Sequence, residues 1–302
     1  MDLQTTHSSV YMNGLWQRKF DSPGKQQFHW IDIALFIGLS PKVRVLVTNY
    51  GKNLIVQFDD VEELRKSFHQ ELDSLRERVV RLGASVVEAI PRATAALLDG
   101  DLEGADFLVQ ADDEIDARTI DIEDACFQQL ALQSPVAGDL RQLVSIIKIV
   151  GELERSADLA VNICKAARRI YGHDLDPVLR GLISKMSEQA QQLYIAAMDA
   201  FENNDASKAA AIDDMDSFLD GLHRQFIQEI FESHARQKID LQVAVQMAVV
   251  ARFYERIGDH AVNVGERTRF ILTGWMPEHR GAERFRAKNR ETKPSFPVTD
   301  SL

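Results

Sequence analysis

Cysteine is nearly absent from this chain of 302 residues; only Cys126 and Cys164 occur, neither in a Cys-x-x-Cys or Cys/His pattern. That excludes a disulfide framework and a structural zinc site, and it fits a reducing compartment. Each cysteine falls in an apolar helical context, which predicts a free, buried thiol behaving as a small hydrophobe. Long apolar runs are also missing. No stretch reaches the about 18 uncharged residues of a membrane-spanning helix, and the first residues lack the basic-then-apolar order of a secretion signal. Proline and glycine are sparse through the middle, which favours long helices over a loop-rich β fold. Positive charge is in deficit: 35 Lys and Arg against 46 Asp and Glu leave a net −11. Such a chain repels a phosphate backbone, so DNA and RNA are excluded as partners, whereas a cation or a basic surface is attracted. No Ser/His/Asp or Cys/His nucleophile set and no Gly-rich phosphate loop is present.

An apolar share of 45% is enough for a packed core. Residues 1–60 stand apart. They hold the β-like runs Val43-Arg44-Val45-Leu46-Val47 and Leu54-Ile55-Val56-Gln57-Phe58, with Trp16 and Trp30, and Pro23-Gly24, Pro41 and Gly51 as punctuation. They read as a small appended module or as an unstructured extension. From Asp60 the pattern turns helical. Leu64, Phe68, Leu72, Leu75, Val79 and Leu82 recur at three- and four-residue steps, which predicts a first helix over 61–98. Asp99-Gly100-Asp101 ends it and caps the next. Further helices are expected over 102–132, 136–171, 177–202, 205–234 and 240–272. Residues 275–302 hold three prolines and many charges without apolar period, and read as a mobile tail.

The helical part is an internal repeat. Ala96-Leu97-Leu98-Asp99-Gly100-Asp101 matches Ala200-Phe201-Glu202-Asn203-Asn204-Asp205 at an offset of 104, and Asp139-Leu140 matches Asp240-Leu241 at an offset of 101. Three residues are thus lost from the second half, most simply in the loop between its second and third helices. The expected fold is all-α, a tandem repeat of two three-helix bundles over 61–172 and 173–274 with short loops.

Carboxylates recur at the same offsets. Glu154, Asp158 and Asn162 match Glu255, Asp259 and Asn263 at 101, and Asp112 and Asp116 match Asp216 and Asp220 at 104. Four-residue spacing stacks each pair on one helix face. Asp116 lies about 18 residues before Ser134 and Glu154 about 20 after it, so at 1.5 Å per residue the two pairs stand at similar heights on neighbouring helices. Like charges four apart cost a helix about 0.2–0.5 kcal/mol per pair, and facing sets cost more unless neutralised. The third-helix acids also continue an apolar stripe, Leu140, Leu143, Ile147 and Val150, matched by Leu241, Ala244, Ala248 and Ala251. Two readings follow. The acids are solvated surface charges, partnered by Arg155 and Arg256, or they bind cations. Oxygen ligands without Cys or paired His favour Mg²⁺, Mn²⁺, Ca²⁺ or iron. Asn162 and Asn263 fit either a supporting amide role or helix packing. His260 points roughly a hundred degrees from Asp259, has Leu159 as its counterpart, and is read as incidental.

Leu153-Glu154-Arg155-Ser156-Ala157-Asp158 and Tyr254-Glu255-Arg256-Ile257-Gly258-Asp259-His260-Ala261-Val262-Asn263 resemble the two signatures of the PhoU family of phosphate-transport regulators. Ser134-Pro135-Val136-Ala137-Gly138-Asp139-Leu140-Arg141 and Asp121-Ile122-Glu123-Asp124-Ala125-Cys126 resemble its lead into the third helix and the helix before it. The resemblance covers about residues 61–274. It implies a cytoplasmic, non-catalytic negative regulator, homodimeric, placed at the inner face of the membrane through its partners. Those partners would be the ATPase of a phosphate ABC transporter and a sensor histidine kinase. It also implies multinuclear metal binding through Asp112, Asp116, Glu154, Asp158, Asp216, Asp220, Glu255 and Asp259. Ser156-Ala157 departs from the usual Ile-Gly, and acids crowd the fifth helix at Asp213, Asp214, Asp216 and Asp220, where the register could slip. The alternatives are a di-metal carboxylate oxidase, which on helical bundles uses Glu-x-x-His pairs absent from these ladders, and a purely structural scaffold with solvated acids.

Overall fold

The computed structural model describes residues 29–31, 44–50, 53–59 and 61–275. Among them are strands β1 (His29–Ile31), β2 (Arg44–Tyr50) and β3 (Asn53–Asp59), then helices α1 (Val61–Asp99), α2 (Leu102–Gln133), α3 (Ala137–Arg169), α4 (Pro177–Glu202), α5 (Ala206–Ala235) and α6 (Leu241–Thr273). The chain divides into two compact units, Met1–Leu72 and Asp73–Leu302. In the first, the runs marked as β-like form an antiparallel sheet of order β1-β2-β3, with Val47 opposite Val56 and Tyr50 opposite Asn53. The expectations for Trp16, Pro23-Gly24 and the tail beyond Trp275 lie outside the described residues.

The second unit carries the helical mass. Aspartates start four of its helices by accepting from free N-terminal amides. Asp101 takes Gly104, Asp205 takes Ser207 and Lys208, Asp240 takes Val243, and Asp176 takes Val178 ahead of Pro177 at the first turn. Asp101 and Asp205 are repeat equivalents. The lost three residues come from helix ends, not from the loop as expected. Residues 134–136 join α2 to α3, whereas the longer stretch 236–240 joins α5 to α6. Pro91 sits inside α1. Its missing N–H frees the Val87 carbonyl, and Gln191 of α4 donates to that oxygen at 3.2 Å, so the helix continues without a buried orphan.

The two halves pack through antiparallel pairs of equivalent helices. Arg76 donates to the Phe201 carbonyl at 2.6 Å, and Thr94 bonds Ser187 at 2.7 Å. Between them a Cβ added at Gly83 would lie 2.6 Å from the Met198 Cε. Adding 104 turns 83 into 187 and 94 into 198, so the Gly83–Met198 and Ser187–Thr94 contacts are the same contact seen from either half. This is a two-fold pseudosymmetry. α3 meets α6 likewise. Arg141 lies beside Gly274, and Glu152 reaches His260 and Asn263. Tyr194, Tyr254, Phe201 and Phe226 are fully buried. The tyrosine hydroxyls find partners there, Tyr254 with Thr94 and Tyr194 with Ser156, as a buried hydroxyl must. Cys126 and Cys164 are free and buried.

Candidate functional site

The repeated acids sit where α2 packs on α3 and α5 packs on α6. Asp112 and Glu154 are half-buried; Asp116 and Asp158, farther out, are exposed. Burial pushes the Asp112 carboxyl up to about 6, and the nearby charges of Asp158, Asp116 and Glu154 push the same way against Lys165. Glu154 is raised by burial, then by Asp158 and Asp116, with Arg155 opposing. The second half repeats the pattern. Burial and then Asp220, Asp259 and Glu255 lift Asp216 to about 6, and Glu255 is lifted by burial and Asp259. Of the crowded α5 acids, Asp216 is the one that lies against α6, beside Gly258. In the stripe behind the ladders, Leu143 and Val150 are buried, while Leu140 is exposed near the α2–α3 turn.

The halves differ in how closely the second helix approaches the third. A Cβ at Gly258 would fall 2.7 Å from the Leu219 Cδ2, and closer still to the Asp216 carboxylate. Glycine there lets α5 settle onto α6. The first half has Ala157 instead, and a cavity of about 200 Å³ opens beside it, lined by Phe107, Leu108, Ile115 and Val161, with Arg92 and Arg118 among its polar side chains. Both arginines pair with glutamates of their own helices, Glu88 and Glu114.

Among the described residues, no three His, Cys, Asp or Glu side chains gather tightly enough to hold an ion as they stand. The donor chemistry still suits a hard cation. Every ladder group is a carboxylate, and burial first, then the neighbouring carboxylates, raise Asp112, Glu154, Asp216 and Glu255; a bound cation would offset both. The Glu255 Oε2 atom is buried without a hydrogen-bond partner, while Oε1 pairs with Arg252. Asp112, Asp116, Glu154 and Asp158 in one half, and Asp216, Asp220, Glu255 and Asp259 in the other, would be the ligands. Asn162 is half-buried on α3.

One constellation escaped the reading of the sequence. His260 is not incidental: it is 9% exposed, and its Nδ1 donates to Glu152 Oε2 at 2.7 Å. Asn263 Nδ2 donates to the same oxygen at 3.2 Å, and Arg155 donates to Glu152 Oε1 at 2.6 Å. Burial raises the Glu152 carboxyl, but these donors outweigh it and hold the group below the ordinary carboxylate range. His260 thereby faces the other half and not the ladder. A signal existed. At an offset of 101, Glu152 replaces the apolar Phe253 and His260 replaces the apolar Leu159, so both partners stand where the repeat breaks.

A family model described as PhoU domain matches residues 79–167 and again 183–268. The chain is 35% identical over 215 residues to phosphate-specific transport system accessory protein PhoU homolog 1 of Mycobacterium tuberculosis, covering 71% of this chain and 96% of that one. It is 30% identical over 211 residues to the PhoU homolog of Clostridium acetobutylicum, covering 70% and 96%. Among solved structures it is similar to PhoU from Pseudomonas aeruginosa, with a TM-score of 0.65 at 28% identity, over 69% of this chain and all of that one. It is also similar to the phosphate transport system regulatory protein PhoU from Streptococcus pneumoniae, with a TM-score of 0.64 at 28% identity, over 69% and 98%.

Proposed function

The chain belongs to the PhoU family, and from that premise we propose that it is an accessory regulator of a phosphate transport system, acting as a non-catalytic adaptor. It passes phosphate status between the ATPase of a phosphate ABC transporter and a sensor histidine kinase, keeping phosphate-starvation signalling off while phosphate is plentiful. An adaptor of this kind must bind one state of its partner more tightly than the other. It works as a homodimer at the inner face of the membrane, held there by its partners; among the described residues no helix is long and apolar enough to cross a membrane. The two carboxylate ladders bind divalent or iron-type cations, Mg²⁺, Mn²⁺ or Fe, and binding sets the α2–α3 and α5–α6 faces for a partner.

The observation that supports this reading is the duplication of the acidic pairs together with their burial: Asp112 and Asp216 occupy equivalent places, and both are raised to about 6. The test is the metal content of the purified, tag-free chain by mass spectrometry, beside a variant with Glu154, Asp158, Glu255 and Asp259 changed to Ala. Stoichiometric metal that disappears in the variant is expected. Equal, trace metal in both, persisting after reconstitution with Mg²⁺, Mn²⁺ and iron, sinks the ligand assignment. Binding of the purified ATPase and of the kinase's cytoplasmic part, with and without metal, tests the adaptor role separately.

A further inference from the structure

The end of α6 fixes where the chain leaves the described residues. Gly274 closes the helix in the left-handed region and donates to the Phe270 carbonyl. Trp275 follows, with its ring centre 4.5 Å from the Arg269 guanidinium and its backbone N–H donating to Thr273 Oγ1 at 3.2 Å. Arg141 lies beside Gly274, its guanidinium carbon 3.8 Å from where a Cβ would stand. Residues 276–302 therefore set out from the turn end of α2–α3, beside the neighbour of Leu140 in the chain.

An apolar face is open there. Phe127 stands about three helical turns after Asp116, and Leu140 and Val144 stand about five and four turns before Asp158. They continue the ladder-bearing faces of α2 and α3 toward the turn. Phe127 lies about seven residues before Ser134 and Val144 about eight after Val136, so the two share a height. Phe127 is 53% exposed, Leu140 41% and Val144 36%. Farther along this face of α3, a Cβ added at Gly151 would meet only the Arg155 guanidinium within 4 Å, so no α2 side chain fills the groove at that point.

Exposed apolar side chains recur at the equivalent places, Phe231, Leu241 and Val245. The charge around them does not recur. Residues 119–133 hold Asp121, Glu123 and Asp124 and no Lys or Arg. Residues 223–237 hold Glu229 and Glu232 against Arg224 and Arg236, and Arg236 pairs with both glutamates. The first face is acidic and the second is balanced. Residues 276–293 carry the opposite sign, with six Lys and Arg against three Glu in a chain of net −11, and they set Phe285 between Arg284 and Arg286. The second face also lies at the start of α6, about 48 Å from the end where the chain leaves.

We propose that residues 276–290 fold back onto the turn end of α2–α3, with Phe285 against Phe127, Leu140 and Val144, and with Arg284 and Arg286 facing Glu123 and Asp124. The stretch from Trp275 to Phe285 spans up to about 33 Å, and the face begins within one helical turn of the exit, so the reach is ample. Burial of an aromatic ring against exposed apolar neighbours drives the contact, and opposite charge selects this face over its balanced counterpart. The docked segment covers a surface otherwise open to another protein. No ladder carboxylate takes part, so the contact stands or falls apart from cation binding and from the adaptor role.

The test is the rate of trypsin cleavage after Arg284 and Arg286 in the full chain, read by mass spectrometry. Trypsin cuts the released segment, so a contact populated about 80% of the time slows cleavage about fivefold. Two variants should be cut about fivefold faster than the parent: Phe127→Ser with Leu140→Ser, and Glu123→Gln with Asp124→Asn. The second leaves every apolar side chain in place, and circular dichroism checks the fold of both. Phe231→Ser with Leu241→Ser, the equivalent change in the other half, should leave the rate as it is. Equal rates in the parent and the two first-half variants overturn the proposal, and so does an equal gain in the second-half variant. Protection unchanged by about tenfold dilution supports it. Protection lost on dilution overturns it, because the cover then comes from a second copy of the chain.

Discussion

Removing the charge of Asp112 should stabilise this protein at neutral pH, and only there. Burial, helped by the neighbouring carboxylates, pushes the folded carboxyl up to about 6 from an ordinary 3.8. Between those values the folded chain holds a proton that the unfolded chain has released, so stability falls as pH rises through that window. Above it the cost is fully present. At 1.36 kcal/mol per unit, the whole shift would be worth about 3 kcal/mol. Asp112 is only half-buried, and solvent screening brings that to roughly 1–1.5 kcal/mol. Asp112→Asn keeps the shape and removes the charge. Thermal unfolding followed by circular dichroism, with chelator present, should show the variant melting about 2–5 °C higher near pH 7.5 and level with the parent near about pH 4, where the folded carboxyl is already protonated. Asp216→Asn should act alike, and the double variant additively, because the two sites lie in separate halves. Equal or lower stability of Asp112→Asn at neutral pH, or the same gain at both pH values, would refute the argument.

Three further outcomes follow from individual contacts. Gly258→Ala places a methyl against Leu219 and Asp216 and should cost about 1–3 kcal/mol by overpacking, seen as a lower urea midpoint; no loss would mean that α5 yields freely. Asp176→Ala removes the cap on Val178 and the acceptor for Ser233 at 2.6 Å, for about 2 kcal/mol in chemical denaturation. The Ser233 bond first, then the Val178 amide and Lys238, hold Asp176 below the usual range against burial, so its contribution is present at neutral pH and is lost as pH falls through that lowered value. A parent-minus-variant difference that grows on acidification would contradict this. Gln191→Ala strands the Val87 carbonyl that Pro91 freed and should cost about 1–3 kcal/mol, while Gln191→Ala in a Pro91→Ala background should cost much less, because the helix then satisfies Val87 itself.

The repeat was legible because it preserves spacing. Approximate helix limits, the cap at Asp101 and the four acidic pairs could be read from the sequence; the caps at Asp176, Asp205 and Asp240 came from the structure. The structure adds what spacing cannot carry. The change of offset looked like a shorter loop, since loops ordinarily absorb deletions; instead α5 and α6 gave up their ends, and Asp240 became a cap where Asp139 lies inside a first turn. Pro91 reads as a helix breaker until Gln191 is known to stand opposite Val87. The Glu152–His260 pair joins residues 108 apart in the chain, and one-dimensional periodicity gives no hint of a partner on another helix. Its only trace was negative, two positions where the repeat turns from apolar to polar.

The same broken symmetry gives the two ladders different charge environments. In the second half Arg252 pairs with Glu255, a ladder member. In the first half the nearest arginine, Arg155, hydrogen-bonds to Glu152, outside the ladder. The second ladder therefore has an arginine paired directly with one of its members, whereas in the first Arg155 bonds outside the ladder and Lys165 is the opposing charge near Asp112. The first also opens toward the cavity that Ala157 leaves, while Gly258 lets α5 close over the second. On the cation reading proposed above, an ion entering the second ladder must compete with Arg252 for Glu255. An ion entering the first meets no such ion pair on Glu154, because Arg155 is held by Glu152. Duplication alone would make two equal sites. On that reading, the departures from the repeat predict that the first ladder fills before the second.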